Sequence, residues 1–172
     1  TERTDLEGHE SGQDHLAIYC YNGNEYIEAM LGAFKARIAP LNVNYRYVEE
    51  ELLYLLKDSQ ARAIVYHAEF APTLAKVRDQ LPNLEVLLQV SDDSGNALLP
   101  GAVEYEEALA SASAERPDVR WSPDDLYILY TGGTTGMPKG VLWRSADIYV
   151  AAMGGRKFDG NEQDSLEGIV EA

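Results

Sequence analysis

Ten consecutive residues, Thr131-Gly132-Gly133-Thr134-Thr135-Gly136-Met137-Pro138-Lys139-Gly140, hold four glycines, three threonines and one lysine. Each of these types suits a polyphosphate. Glycine permits positive φ and close backbone approach, so that successive N–H groups turn toward one anion. Thr131, Thr134 and Thr135 add hydroxyl donors, and one such hydroxyl can also reach a bound Mg²⁺. Lys139 brings a compact positive charge, and Pro138 stiffens the turn before it. The chemistry on offer is anion binding by backbone donors reinforced by one cation.

Spacing narrows the choice of loop. A Walker loop requires Gly-Lys followed by Ser or Thr and then a helix. Here Lys139-Gly140 runs into Val141-Leu142-Trp143, which reads as extended chain. The loop therefore joins two extended segments, and anion binding falls to a backbone nest and not to a helix N-terminus. The pattern G-x-G-x-x-G is absent. A plain glycine-rich linker rarely sets an apolar strand on each side of three threonines and a Pro-Lys-Gly.

The elements that must position this loop alternate. Leu16 to Tyr21 is short, apolar and aromatic, and Asn22-Gly23 bounds it: a buried strand. Asn22 and Glu25 resemble a helix-opening capping pair. Tyr26, Ile27, Met30, Leu31 and Phe34 follow at helical spacing as one apolar face, and Lys35 and Arg37 close that helix. Ile38 to Leu41 is a short strand or extended link. A second helix begins near Val48, with Glu49, Glu50 and Glu51 in its first turn, Leu52, Leu55 and Leu56 as its stripe and Lys57 at its end. A strand from Ala63 to Tyr66, a helix carrying Leu74, Val77 and Leu81, and a strand from Leu84 to Val90 come next. Residues 91–96 are a surface loop, Val103 to Ala110 a short helix, and Ser111 to Pro117 a polar linker. Leu126 to Tyr130 is the strand that feeds the loop, and Ser145 is placed to cap a last helix through Met153. Strands alternating with helices predict an α/β fold with a largely parallel sheet and flanking helices.

Composition excludes several classes. The formal charge is −15, from 14 Lys and Arg against 29 Asp and Glu, which argues against nucleic acid as a partner. Hydrophobic residues at 45% suit a chain with a real core. No run of about 18 apolar residues offers a membrane span, and no charged-then-apolar leader opens the chain. A cytoplasmic location is the expectation, although a chain that begins at Thr1 makes a missing leader weak evidence. The single cysteine, Cys20, lies in an apolar run and reads as a buried structural thiol. His9, His15 and His67 lack metal-ligand spacing, so no protein metal site is expected. Asp124-Asp125 reads as a turn before the strand in preference to a metal pair, and Arg144 as a solvated cation. Asn42 to Tyr47 is a polar-aromatic loop, either a structural turn or a ligand contact at the carboxyl edge of a sheet. From Asp159 onward there are five acidic residues and no basic one, a stretch expected to be mobile.

Tyr130 to Gly140 is similar to the signature loop of the adenylate-forming superfamily, which comprises acyl-CoA synthetases, peptide-synthetase adenylation domains and luciferases. Asn22 to Tyr26, Phe34 to Asn42 and Leu53 through Asp58 to Ala63 resemble that family's N-terminal region in the same order. The resemblance implies part of a large N-terminal domain over 16–155, after a polar lead-in at 1–15 and before an acidic stub at 156–172. It implies ATP with Mg²⁺, a carboxylate substrate that becomes an acyl-adenylate, and coenzyme A as acceptor. Thr131, Gly132, Gly133, Thr134, Thr135, Gly136 and Lys139 would hold the β- and γ-phosphates, prepositioned where charge accumulates as pyrophosphate leaves. Two positions depart from the family: Gly132 stands where Ser is usual, and Trp143-Arg144-Ser145 stands where many members carry a His.

Three functions stay open on these residues: acyl-CoA synthetase, adenylation domain serving a carrier-protein thiol, and nucleotide-binding module without catalysis. The wording of Lys35 to Arg37, Asn42 to Tyr47, Gly132-Gly133 and Val141 to Arg144 resembles a subgroup acting on fatty or sterol side-chain acids. The family's adenine segment, its ribose-binding Asp and its C-terminal catalytic Lys are not found between Val141 and Ala172. The 172 residues alone are thus expected to be inactive, to need the C-terminal part of the same enzyme and to self-associate.

Overall fold

The computed structural model describes residues 6–8, 10–132, 136–152, 155–156 and 160. Seven strands form one sheet: β1 (His15–Tyr19), β2 (Ala39–Asn42), β3 (Ala63–His67), β4 (Val86–Val90), β5 (Ala102–Glu104), β6 (Leu126–Thr131) and β7 (Lys139–Arg144). Five helices accompany them: α1 (Asn24–Lys35), α2 (Glu49–Asp58), α3 (Ala71–Arg78), α4 (Tyr105–Ser111) and α5 (Ser145–Ala152). The strand order is β5-β4-β3-β1-β2-β6-β7, parallel throughout except for the antiparallel β6–β7 hairpin.

The central strands are apolar at consecutive positions because both faces of the sheet are covered. Ala17, Tyr19, Ile64 and Tyr66 enter one core, shared with Leu52, Leu55 and Leu56 of α2 and Leu74 and Val77 of α3. Leu16, Ile18, Cys20 and Val65 enter the other, shared with Ala29 and Ala33 of α1 and Tyr105 of α4. Helix α2 keeps its expected stripe. Helix α1 does not. It meets the sheet through its small residues Ala29 and Ala33, with Tyr26 and Met30 beside them, while Ile27 and Leu31 are 53% and 52% exposed. Small side chains let the helix approach closely, and the two branched residues then lie on its far side.

Two other expectations give way. Helix α1 starts one residue after Gly23, which occupies the N-cap position without any side-chain cap, so Asn22 does not cap it. The segment read as a helix from Val103 contains β5, which exists because Leu87 to Gln89 pair with Ala102 to Glu104. Glu104 ends that strand and caps α4, accepting a hydrogen bond from the Glu107 N–H at 2.9 Å. Ser145 begins α5, yet its hydroxyl donates to the Asp125 carbonyl at 2.7 Å. Met153 and most of the acidic stub lie outside the described residues.

The hairpin that carries the loop joins the parallel sheet at Leu41 and Ile128. Polar side chains secure its open end. Arg37, at φ 58° just past α1, donates from Nη2 to Asp125 Oδ1 at 2.8 Å and from Nε to both carboxylate oxygens at 3.0 and 3.1 Å. Gln13 donates to the Arg37 carbonyl at 2.8 Å and accepts from the Leu126 N–H at 2.7 Å. The Asp124-Asp125 turn is therefore a clamp. The two side chains of the Arg37–Asp125 pair are 22% and 10% exposed. Asp125→Ala removes a carboxylate that the largely buried guanidinium of Arg37 binds, and should cost about 2–4 kcal/mol, just under the range for fully buried pairs. Urea unfolding measures this, and the Arg37→Ala, Asp125→Ala double variant should recover part of the loss.

Candidate functional site

The chain leaving β2 turns back across β1 toward β3, whereas the chain leaving β6 turns away into β7. Two loops that diverge over the carboxyl ends of parallel strands leave a crevice between them, the usual ligand position in open α/β sheets. A cleft of about 640 Å³ occupies that place. Asn42 to Tyr45 and Tyr47 line one side and Tyr130, Gly132 and Gly136 to Pro138 the other, and Cys20, Asn22 and Glu51 also border the cleft.

The first wall is tied to the central strand and folded on itself by hydrogen bonds. Val43 N–H donates to the Ile18 carbonyl at 2.9 Å, and the Tyr19 hydroxyl donates to the Tyr47 carbonyl at 3.0 Å. Asn44 accepts from the Arg46 N–H through its side chain at 3.0 Å and from the Tyr47 N–H through its carbonyl at 3.0 Å. The segment is thus a structural turn, and Asn42 to Tyr45 and Tyr47 border the cleft. Burial, then the charge of Glu49, pushes the Tyr19 phenol up to about 12, which keeps it a donor.

The second wall is the hairpin loop. Thr131 closes β6, Lys139 opens β7, and the two are cross-strand partners. Gly132 and Gly136 are exposed, with nothing within 4 Å of where a Cβ would stand. Neither adopts positive φ, and nor does Gly140. Glycine serves open approach to the backbone at 132 and 136, not the left-handed conformation expected from composition. A serine at Gly132 would fit without strain. Gly133, Thr134 and Thr135 lie outside the described residues. The structure brings Gly132 and Gly136 into the cleft wall, while Thr131 and Lys139 sit at the loop's two roots.

The remaining candidates have other tasks. Arg144 is held by Asp147 at 2.8 and 2.9 Å and by Asp124 at 3.0 Å, so it adds little field to the loop. His15 bonds Ser11 at 2.7 Å, His67 accepts from the Tyr21 N–H at 3.1 Å, and His9 lies outside the described residues. Among the described residues no group of three or more His, Cys, Asp or Glu side chains is placed to hold a metal. Sequence reasoning overlooked Tyr130 and Asp58, whose side chains are bonded across the base of the loop. The available signal was an acidic residue at the end of a helix, where a cation is favoured.

The largely parallel sheet with flanking helices matches the N-terminal domain of adenylate-forming enzymes. Residues 6–168 match the AMP-binding enzyme family, and the chain belongs to it. It is 61% identical over 172 residues to a medium-chain acyl-CoA ligase, Mig, of Mycobacterium avium, covering 99% of this chain and 31% of that protein. It is 45% identical over 150 residues to a medium/long-chain-fatty-acid–CoA/3-oxocholest-4-en-26-oate–CoA ligase of Mycobacterium marinum, covering 84% of this chain and 27% of that protein. A fatty acyl CoA synthetase structure from Mycobacterium tuberculosis superposes with a TM-score of 0.66 at 28% identity, over 83% of this chain and 26% of that one. The chain spans about a third or less of the length of these relatives.

Cys20 supplies a test of the cleft floor. Its side chain is 3% exposed, and its thiol donates weakly to the Val65 carbonyl at 3.6 Å. Burial first, then the charge of Glu25, raises its pKa from 9.0 to about 12, against a smaller lowering by the His67 backbone. A raised pKa keeps the thiol neutral at pH 8 and cuts its thiolate fraction roughly thousandfold. Alkylation at pH 8 should be very slow in the native protein and fast in urea.

Proposed function

We propose that this chain forms part of the large N-terminal domain, over about 16–155, of an ATP-dependent acyl-CoA synthetase, with residues 131–140 as its grip on the β- and γ-phosphates. The observation that carries this is the backbone left open at Gly132 and Gly136 beside Lys139, on a chain 61% identical to a medium-chain acyl-CoA ligase. Thr131, Gly132, Gly133, Thr134, Thr135, Gly136 and Lys139 are the assigned contacts. Such donors stabilise the charge that builds as pyrophosphate departs, and they need no covalent step of their own. Coenzyme A would take the acyl group in the whole enzyme. Mg²⁺ finds no protein cage among the described residues, so no step is assigned to it.

Medium-chain fatty acids are the first substrate class to try and sterol side-chain acids the second, following the names of the two relatives. The cytoplasm remains the proposed location; among the described residues no helix is long and apolar enough to cross a membrane. The outward Ile27 and Leu31 of α1 support a surface covered by the rest of the enzyme, or by self-association where that part is missing.

Carboxylate-dependent ATP–pyrophosphate exchange by the whole enzyme tests the reading, across aliphatic and sterol acids; no exchange with any of them would overturn it. Lys139→Ala removes a charge-assisted contact of about 1.5–3 kcal/mol and should slow adenylation roughly ten- to hundredfold with the fold intact. Gly132→Ser should alter the rate far less. The 172 residues alone should bind ATP no better than about millimolar and form no acyl-adenylate, because exposed donors compete with water. Calorimetry measures the first and exchange the second.

A further inference from the structure

Two residues at the base of the loop go against the preferences of their own elements. Asp58 is the last residue of α2, where the negative end of the helix dipole disfavours a carboxylate. Gly140 lies inside β7, where glycine costs chain entropy and packs nothing, and its φ does not require it. Neither choice is explained locally. Both are explained by Tyr130. Its hydroxyl donates to Asp58 Oδ2 at 2.7 Å. Its ring crosses its cross-strand partner, so a Cβ on Gly140 would stand 3.0 Å from Cζ, 3.1 Å from Cε2 and 3.2 Å from the hydroxyl oxygen. Burial of the ring, then the bond to Asp58, holds the phenol well above its ordinary pKa and keeps it a donor.

The contact falls where a hinge would otherwise be. Tyr130 immediately precedes Thr131, and Gly140 immediately follows Lys139. One ring therefore ties both roots of the loop to the end of α2, which is fixed in the core by Leu55 and Leu56. Tyr130 borders both the cleft and a second cavity of about 450 Å³, and Asp58 borders the second alone.

We propose that Asp58 is a positioning residue for nucleotide binding: acting through the Tyr130 hydroxyl, it sets the direction in which the two roots of the loop present the N–H groups of Gly132 and Gly136 and the side chain of Lys139. This rests on the phosphate-loop reading above. Gly140 is the complementary half of the device, since it makes room for the ring.

The test compares the whole enzyme with Asp58→Ala, Asp58→Asn, Tyr130→Phe and the Asp58→Ala, Tyr130→Phe pair. It reads KM for ATP and for the carboxylate separately in pyrophosphate exchange, with hydrogen exchange of amides 130–141. Asp58→Ala and Tyr130→Phe should each raise the KM for ATP about tenfold, leave the carboxylate KM within about twofold and speed hairpin exchange. The double variant should be no worse than either single, as expected for one shared interaction. Asp58→Asn keeps an acceptor oxygen and should restore most of the ATP KM. If Asp58→Ala does not fold, Tyr130→Phe, which keeps the ring over Gly140, gives the same comparison. An unchanged ATP KM, equal rises in both KM values, or strictly additive singles would each overturn the positioning role. A wild-type enzyme without exchange activity would overturn the nucleotide reading beneath it, a result distinct from active wild type with insensitive variants.

Discussion

A loop that leaves its backbone exposed, as at Gly132 and Gly136, has to draw its order from somewhere other than the core, and the residues around it answer that constraint. Burial is the main source of rigidity in proteins, and it is denied to this stretch of backbone. The exposed Gly132 and Gly136 obtain their order from what lies at the two ends of the hairpin. At the open end Asp125 binds Arg37 with its side chain and Ser145 with its carbonyl. At the loop end the Tyr130 ring spans Gly140 and reaches Asp58. Between these anchors the β6–β7 ladder runs from Leu126 opposite Arg144 to Thr131 opposite Lys139.

The other wall of the cleft solves a similar problem with different means. The segment from Val43 to Tyr47 has no partner strand, but Asn44 folds it on itself and the Tyr19 hydroxyl ties it to the central strand. Tyr21 packs against Tyr45 with ring centroids 5.0 Å apart, and against Phe70 at the same separation. Aromatic packing thus continues the core up to the rim of the cleft. Polar anchors dominate on the hairpin side, where the sheet thins to an edge.

The parallel framework was readable in advance because strands buried on both faces are written as unbroken apolar runs, as in Leu16 to Tyr21. Helix α2 was equally plain, since acidic residues open it and three leucines mark one side. What escaped notice depended on contacts far apart in the chain. Strand β5 is three residues with no alternation of its own, and it exists because β4 offers an edge. The inner face of α1 is made of alanines, which a search for large apolar residues ranks last. The glycine-rich loop could be picked out from ten residues, since each type contributes its own chemistry. Its supports could not, because Asp58 and Tyr130 are separated by 72 residues and Gln13 and Leu126 by 113.

Those separations also impose an order of assembly. Strands β1 to β5 and helices α1 to α4 are complete within the first 111 residues, and that stretch holds every buried residue of both cores except Ile128. The chain then leaves one margin of the sheet and crosses four strands to add β6 beside β2. The scaffold can therefore close before the hairpin loop joins it, with Arg37, Gln13 and Asp58 already in place as a template. Contacts so distant in sequence form late, after the loop-closure entropy has been met by nearer ones. A chain released near residue 120 would hold the scaffold and lack the hairpin, which separates the making of the loop from the folding of what holds it.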